Sequence, residues 1–128
     1  MIVELRTYTI KALRTADFLA LYERAALPLQ KKYLGHLIGF YVSEVGPLNQ
    51  VVHLWGFDSL AERERRRAEM EKDPGWAGYR DALKQLDIIV EQDNRLLKAV
   101  SFSPRIKAGR SVRLDAGVLD DPGVLDEL

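Results

Sequence analysis

Residues 37–57, LIGFYVSEVGPLNQVVHLWGF, decide the fold, because two runs rich in β-branched and aromatic residues flank a short turn. The runs are residues 37–45 and 50–57, and residues 46–49 (GPLN) supply the glycine, proline and asparagine that are typical of a tight connection. Strands joined by so short a connection pair in antiparallel fashion. The stretch therefore predicts a β-hairpin in the middle of the chain.

A strand with an unusual set of polar side chains precedes the hairpin. Residues 2–10 (IVELRTYTI) are rich in β-branched and aromatic residues, which predicts the first strand. Alternation along a strand puts Glu4, Arg6 and Tyr8 on the same face. We expect this strand in the middle of the sheet, where a carboxylate, a guanidinium and a phenol are an unusual combination.

A helix is expected between this strand and the hairpin. Its apolar positions follow helical spacing from residue 18 to residue 29, and Thr15 is a suitable N-cap. Pro28 removes a backbone donor and crowds the preceding turn. The pattern predicts a kink or a fresh helical start that runs to Tyr33, with Gly35 as the stop.

A second helical region follows the hairpin. Asp58 or Ser59 is expected to cap a helix that continues to Met70. Asp73 and Pro74 restart it, because proline is favoured at the first helical position.

The last β-rich segment completes the topology. Residues 87–92 and 95–102 have strand composition, and Asp93 and Asn94 mark a bulge or bend between them. The order is β-α-β-β-α-β, which predicts an α+β domain with a ferredoxin-like fold. In that fold strands one and three are central in a four-stranded antiparallel sheet, and both helical regions cover one face.

The uncovered face of such a sheet predicts a homodimer. The set on that face of the first strand is either Glu4, Arg6 and Tyr8 or Val3, Leu5 and Thr7. With either set, aliphatic and aromatic residues from the hairpin join it, and a contiguous apolar patch usually marks an interface.

The domain is expected to span residues 1–104. Residues 105–128 lack sustained periodicity, so we expect a C-terminal tail that folds over the partner subunit.

Composition excludes several classes of function. Lysine plus arginine and aspartate plus glutamate both number 19, so no net charge attracts the molecule to nucleic acid. The chain has no cysteine, which suits a reducing compartment. Charged residues interrupt the apolar ones directly after Met1, and no stretch is long enough for a membrane span. We therefore expect a cytoplasmic protein that binds neither nucleic acid nor membrane.

Several motifs in this order resemble the NIPSNAP family. The resemblance extends from residue 1 to about residue 104, and it rests on residues 4–8 (ELRTY), 27–31 (LPLQK), 46–55 (GPLNQVVHLW), 58–60 (DSL), 63–67 (RERRR), 91–95 (EQDNR) and 102–104 (FSP). It implies a dimeric α+β barrel with a cavity between sheet and helices. Most members of the family have no assigned activity, and the wider superfamily includes cofactor-free and heme-degrading monooxygenases.

His53 is the first candidate for chemistry. It lies in the middle of a strand on the same face as Trp55, where an imidazole could transfer protons or ligate heme. The alternative is a hydrogen-bonded histidine of the core or the dimer interface.

Arg6 and Tyr8 could orient an anionic or phenolic substrate, since a guanidinium binds a carboxylate with two hydrogen bonds. The alternative role for Arg6 is an ion pair with Glu4 that fixes the strand register or the dimer.

Further residues are candidates for binding. Tyr41, Trp55 and Trp76 could line an aromatic pocket, although aromatic residues at such spacings also build ordinary cores. Asn49 could contact a ligand, or it could simply shape the turn. The arginines and glutamates of residues 62–69 alternate at offsets that stabilise a solvated helix face, with an anion-binding patch as the alternative.

The sequence offers no metal site and no motif of a common hydrolase. His36 and His53 are the two histidines and lie on different elements, and no acidic cluster has ligand spacing. We expect no cofactor, with heme as the one alternative.

The leading hypothesis is a homodimeric protein that binds a small hydrophobic or phenolic molecule, or a cofactor-free oxygenase or isomerase, with catalytic His53, Arg6 and Tyr8. The alternative hypothesis is a non-catalytic protein-interaction module.

Overall fold

The computed structural model describes residues 1–104. Its elements are β1 (Ile2–Ile10), α1 (Thr15–Leu21), α2 (Leu27–Tyr33), β2 (His36–Val42), β3 (Gln50–Phe57), α3 (Leu60–Glu71), α4 (Pro74–Leu86) and β4 (Ile89–Lys98). The strands form one antiparallel sheet in the order β2-β3-β1-β4. The predicted α+β, ferredoxin-like fold with β1 and β3 at the centre is confirmed. The tail expected over residues 105–128 lies outside the described residues.

Pro28 shapes the first helical region as expected. A π-helical turn, Tyr22–Ala26, joins α1 to α2, and the N–H of Leu27 donates to the carbonyl of Tyr22 five residues earlier. Proline has no N–H and its ring crowds the carbonyl four residues before it, so the turn in front of Pro28 widens. The helix then restarts with Pro28 in its first turn.

The expected Thr15 cap is wrong. α1 begins at Thr15 itself, Arg14 occupies the cap position, and no side chain caps this end. The Thr15 hydroxyl is buried without a hydrogen-bond partner among residues 1–104. Gly35 does end α2, with a φ of +91° and its N–H donating to the carbonyl of Gln30. The positive φ favours glycine, because a side chain is strained there.

The hairpin and the last strand differ from the prediction at their ends. β2 stops at Val42 instead of residue 45, because the N–H of Ser43 donates to the carbonyl of Gln50 and closes the ladder there. β4 is one strand without a bend at residues 93–94, since both residues keep regular register opposite β1. The irregularity of that pairing falls between Thr9 and Ile10 instead.

Both caps expected after the hairpin are confirmed. The Ser59 hydroxyl accepts a hydrogen bond from the N–H of Glu62, and the Glu62 carboxylate accepts one from the N–H of Asp58. The Asp73 carboxylate accepts a hydrogen bond from the N–H of Gly75 at the start of α4. These bonds satisfy amide donors that a helix start otherwise leaves free.

The helices cover the face of the sheet that carries the even-numbered residues of β1. Two buried clusters lie beneath them: Tyr8, Ile10, Phe18, Leu21, Tyr22, Ala26, Val51, Tyr79 and Ile88 form the first, and Leu34, Trp55, Phe57 and Met70 the second. By strand alternation and register, the opposite face carries Val3, Leu5, Thr7, Tyr41, Val52, Leu54 and Leu97. We call these seven residues the open face. Among the described helices, none is long and apolar enough to span a membrane.

Candidate functional site

Glu4 lies at the centre of a cluster of arginines under the helices. Its side chain is fully buried, and Arg63 of α3 donates to both carboxylate oxygens, from Nε at 3.1 Å and from Nη2 at 2.8 Å. Arg6 donates from Nη1 to the same carboxylate at 3.1 Å. Burial alone would raise the pKa of Glu4, but the hydrogen bonds from Arg63 and the charges of Arg6 and Arg63 hold it below the usual value. The carboxylate is thus ionised in the interior.

The inward face of α3 is charged, which the solvated-face interpretation of residues 62–69 did not anticipate. The Arg63 side chain is 12% exposed, and Glu62 is buried and pairs with Arg66 at 2.7 Å. α3 offers few apolar residues with which to cover the sheet, so arginine side chains enter the space above β1. Their aliphatic stems pack there while their guanidinium groups reach buried acceptors. The solvated-face interpretation is therefore wrong for Arg63.

Arg67 also lies on this inward face but lacks a partner. It makes no hydrogen bond or ion pair with any residue of the described part of the chain. Burial lowers the pKa of its guanidinium, and the charge of Arg6 lowers it further. The charges of Glu4 and Glu71 offset this lowering only in part. Burying the Arg67 guanidinium is therefore costly, and a bound anion would relieve that cost.

A cleft of about 280 Å³ opens between the sheet and the helices α3 and α4 beside these arginines. Its walls are Arg6, Tyr8, Arg67, Glu71, Trp76, Tyr79, Arg80, Leu83 and Gln92. Three guanidinium groups face one carboxylate in this lining, and the remaining wall is largely aromatic and aliphatic. The cleft combines positive charge with an apolar surface, which suits an organic anion.

His53 lies deeper, in a closed aromatic environment. It is fully buried, stacks on Phe40 with ring centroids 4.6 Å apart, and meets the edges of Tyr8 and Tyr22 at 5.2 and 5.6 Å. Trp55 donates from Nε1 to His53 Nδ1 at 2.8 Å. Burial, followed by the charge of Arg6, lowers the pKa of His53 to about 3. The imidazole is therefore neutral, with its proton on Nε2.

We expect His53 to remain neutral throughout the physiological range. In a histidine-selective ¹⁵N–¹H NMR titration its Nδ1 and Nε2 shifts should stay constant from about pH 5 to pH 9, because only the neutral form is tolerated in this environment. The unfolded state protonates this imidazole near its ordinary pKa of 6.5, so its contribution to stability falls as the pH drops below that value. A His53 titration midpoint near 6.5 would contradict the assignment.

The geometry at His53 does not suit heme. Nδ1 already accepts the indole hydrogen of Trp55, and three aromatic rings enclose the imidazole. Axial ligation would require this aromatic environment to open. Within residues 1–104, no group of three histidine, aspartate or glutamate side chains is arranged to hold a metal ion.

The structure divides the predicted site residues among three places. Arg6, Tyr8 and Trp76 line the cleft, whereas His53 and Trp55 lie in the core beside it. Tyr41 is 56% exposed on the open face, and Asn49 has a φ of 63° in the hairpin loop. Neither Tyr41 nor Asn49 belongs to the cleft lining. The single pocket expected from these residues is thus not formed.

Several residues of the site were not among the predicted site residues. Arg63 and Arg67 of α3 entered the sequence analysis only as part of the alternative anion-binding patch. The others are Glu71 of α3, Tyr79, Arg80 and Leu83 of α4, and Gln92 of β4. A signal for the first two was present, because residues 63, 67 and 70 follow the i, i+4, i+7 spacing of one helix face and Met70 is buried.

Comparison with curated proteins places the chain near NipSnap proteins. It is 34% identical over 73 residues to the NipSnap homolog of Dictyostelium discoideum and 32% identical over 74 residues to NipSnap homolog 3B of Mus musculus. Each match covers 57% of this chain, but only 32% and 29% of the two relatives. The chain thus matches about a third of the length of these proteins.

Comparison with solved structures supports the same relationship. A NIPSNAP-like domain protein from Burkholderia xenovorans is 39% identical, with a TM-score of 0.77 over 84% of this chain and 91% of that one. A NIPSNAP family protein of unknown function from Agrobacterium tumefaciens is 38% identical, with a TM-score of 0.74 over 81% of this chain and 92% of that one. A Nitrosomonas europaea protein, assigned by its name to the antibiotic biosynthesis monooxygenases, shares only the fold, at 15% identity and a TM-score of 0.58 over 78% and 99% of the two chains.

The NIPSNAP family model matches residues 3–104, which include the described helices, the described strands apart from Ile2 at the start of β1, and every residue of the cleft. This chain belongs to the NIPSNAP family.

Proposed function

We propose that this protein is a homodimer in which each subunit binds a small organic anion in the arginine-lined cleft. The observation that carries the proposal is Arg67, a guanidinium in the cleft wall that makes no hydrogen bond or ion pair with any residue in the described part of the chain. A carboxylate on an aromatic or aliphatic body fits this chemistry, because Arg6 and Arg67 supply the charge and Trp76, Tyr79 and Leu83 supply the apolar wall.

Binding is better supported than turnover. An oxygenase or isomerase needs a group that removes a proton near neutral pH. A neutral imidazole whose pKa is about 3 is a poor general base there. Glu4 is held by two arginines and cannot accept a proton without breaking those ion pairs.

The homodimer is proposed from the open face. Its aliphatic residues are not covered by any helix among the described residues, and Leu97 is 42% exposed. β4 adds Asp93 and Arg95 to the same face, where they pair with each other at 3.4 Å. In a two-fold dimer the same groups could also pair with the opposite charges of the second copy at the rim. Two copies packed in this way bury both open faces at once.

The Arg67→Gln variant tests the anion site. We expect it to bind benzoate roughly 10- to 100-fold more weakly than the wild type in isothermal titration calorimetry, because a charge-assisted hydrogen bond is lost. Its thermal stability should be no lower than that of the wild type, since the substitution removes an unpaired, partly buried charge.

A matched control for this test is Arg65→Gln, which makes the same change at an exposed position of the same helix. It should leave the benzoate affinity unchanged, and neutral benzamide should not bind to either protein. The proposal fails if wild-type protein does not bind benzoate, or if both arginine variants weaken binding equally.

A further inference from the structure

Behind the cleft lie two buried polar groups that lack hydrogen-bond partners. The Tyr22 hydroxyl and the His53 Nε2 atom form no hydrogen bond with any residue from 1 to 104, although Tyr22 is 3% exposed and His53 is fully buried. Their rings are neighbours, with centroids 5.6 Å apart. Buried polar groups are normally satisfied, so two such groups on neighbouring rings indicate a missing partner.

Both groups act as donors toward this missing partner. The indole of Trp55 occupies Nδ1 of His53, so Nε2 carries a hydrogen. Burial raises the pKa of the Tyr22 hydroxyl, so it also keeps its proton. An uncharged oxygen, such as that of a phenol, an alcohol or a ketone, would accept from both groups without bringing a charge into the core.

The orphaned pair is separated from the cleft by one layer of aromatic side chains. Tyr8 lines the cleft and contacts His53 with centroids 5.2 Å apart, while Tyr79 lines the cleft and contacts Tyr22 at 6.1 Å. The Tyr8 hydroxyl accepts a hydrogen bond from Arg6 Nε at 3.0 Å. An anion that engages Arg6 would compete with Tyr8 for this donor.

We propose that the anion site continues past Tyr8 and Tyr79 to a second contact, in which Tyr22 and His53 Nε2 bind an uncharged oxygen at the far end of the ligand. The inference rests on the proposed anion site and narrows its ligand class to carboxylates that carry a hydroxyl or carbonyl oxygen about one ring away. The π-helical turn contributes by holding Tyr22 in this position, and such turns occur frequently at functional sites.

The test compares benzoate with 4-hydroxybenzoate, which differ by one oxygen opposite the carboxylate. Wild-type protein should bind 4-hydroxybenzoate about tenfold more tightly, the size expected for a hydrogen bond that satisfies a buried donor. In Tyr22→Phe this preference should fall to about twofold or less, while benzoate affinity stays the same. Tyr41→Phe, which removes the same hydroxyl on the open face, should keep the full preference.

Wild-type protein alone provides a second readout. The His53 Nε2–H resonance should shift when 4-hydroxybenzoate is added and should stay in place with benzoate. The inference is overturned, and the anion site stands, if the two compounds bind equally and this resonance does not move. It is likewise overturned if a crystal structure of the 4-hydroxybenzoate complex shows only water between Tyr22 and His53. If neither compound binds, the anion site itself is wrong and the inference falls with it.

Discussion

Replacing Glu4 with glutamine should lower the free energy of unfolding by about 3 kcal/mol, because removing one member of a buried ion cluster leaves the others uncompensated. Arg6 and Arg63 both direct guanidinium hydrogens at this carboxylate, and their side chains are only 16% and 12% exposed. Glutamine keeps the shape and one acceptor oxygen. It cannot keep the negative charge that balances two arginines, nor accept both hydrogen bonds from Arg63.

Urea unfolding at pH 7 measures this difference. The matched control is Glu64→Gln, which removes the charge of an exposed carboxylate that also pairs with Arg63, and it should change stability by less than about 0.5 kcal/mol. If Glu4→Gln were as mild as Glu64→Gln, the cluster would contribute little to the fold.

The difference in stability between the wild type and Glu4→Gln should depend on pH. The pKa of Glu4 is lowered in the folded state from an ordinary value of 4.5. The contribution of ionised Glu4 to the free energy of unfolding is therefore complete above pH 4.5. It is lost as the pH falls toward the folded-state pKa. The difference in stability between wild type and Glu4→Gln should be constant near neutral pH and should narrow in acid.

Replacing Leu54 with lysine should weaken the proposed dimer by about 100-fold or more, because an unpaired ammonium group would be buried at the centre of an apolar interface. Leu54 pairs with Leu5 across the two central strands, in the middle of the open face. Its side chain points away from the helices, so the fold of a single subunit should tolerate the change.

Sedimentation equilibrium checks the change in association. Leu60→Lys is the matched control, since Leu60 is 53% exposed at the start of α3 and lies outside the sheet. The control should associate as the wild type does. A wild-type protein that is monomeric at about 100 µM, or a Leu54→Lys variant that still dimerises fully, would contradict the open-face interface.

Local sequence patterns were sufficient to predict most of the fold. The hairpin, the bounds of β1 and β3 and the restart at Pro28 depend on alternation, turn residues and proline geometry, which act over a few residues. The Thr15 cap and the end of β2 were wrong because neighbouring backbone decides those positions. The start of α1 and the end of β2 therefore depend on contacts in the folded structure and not on local sequence alone.

The site was harder to predict because it depends on which polar side chains the fold buries. Arg6, Tyr8 and Trp76 were found because they stand out on a strand or on the apolar face of a helix. Arg67 lies in a run of charges that resembles an ordinary solvated helix face. The signals that indicate otherwise are its helical spacing from Met70 and the scarcity of apolar residues on α3. His53 was noticed correctly, but a sequence cannot show that Trp55 already occupies one of its nitrogens.

A crystal structure with 4-bromobenzoate shows directly whether the cleft between β1, α3 and α4 binds organic anions. The anomalous signal of bromine locates the ligand independently of the protein map. We expect the carboxylate within hydrogen-bond distance of Arg6 and Arg67, with the bromine directed toward Tyr8 and Tyr79. Bromine found only outside the cleft, at concentrations that saturate binding in solution, would rule out the proposed anion site.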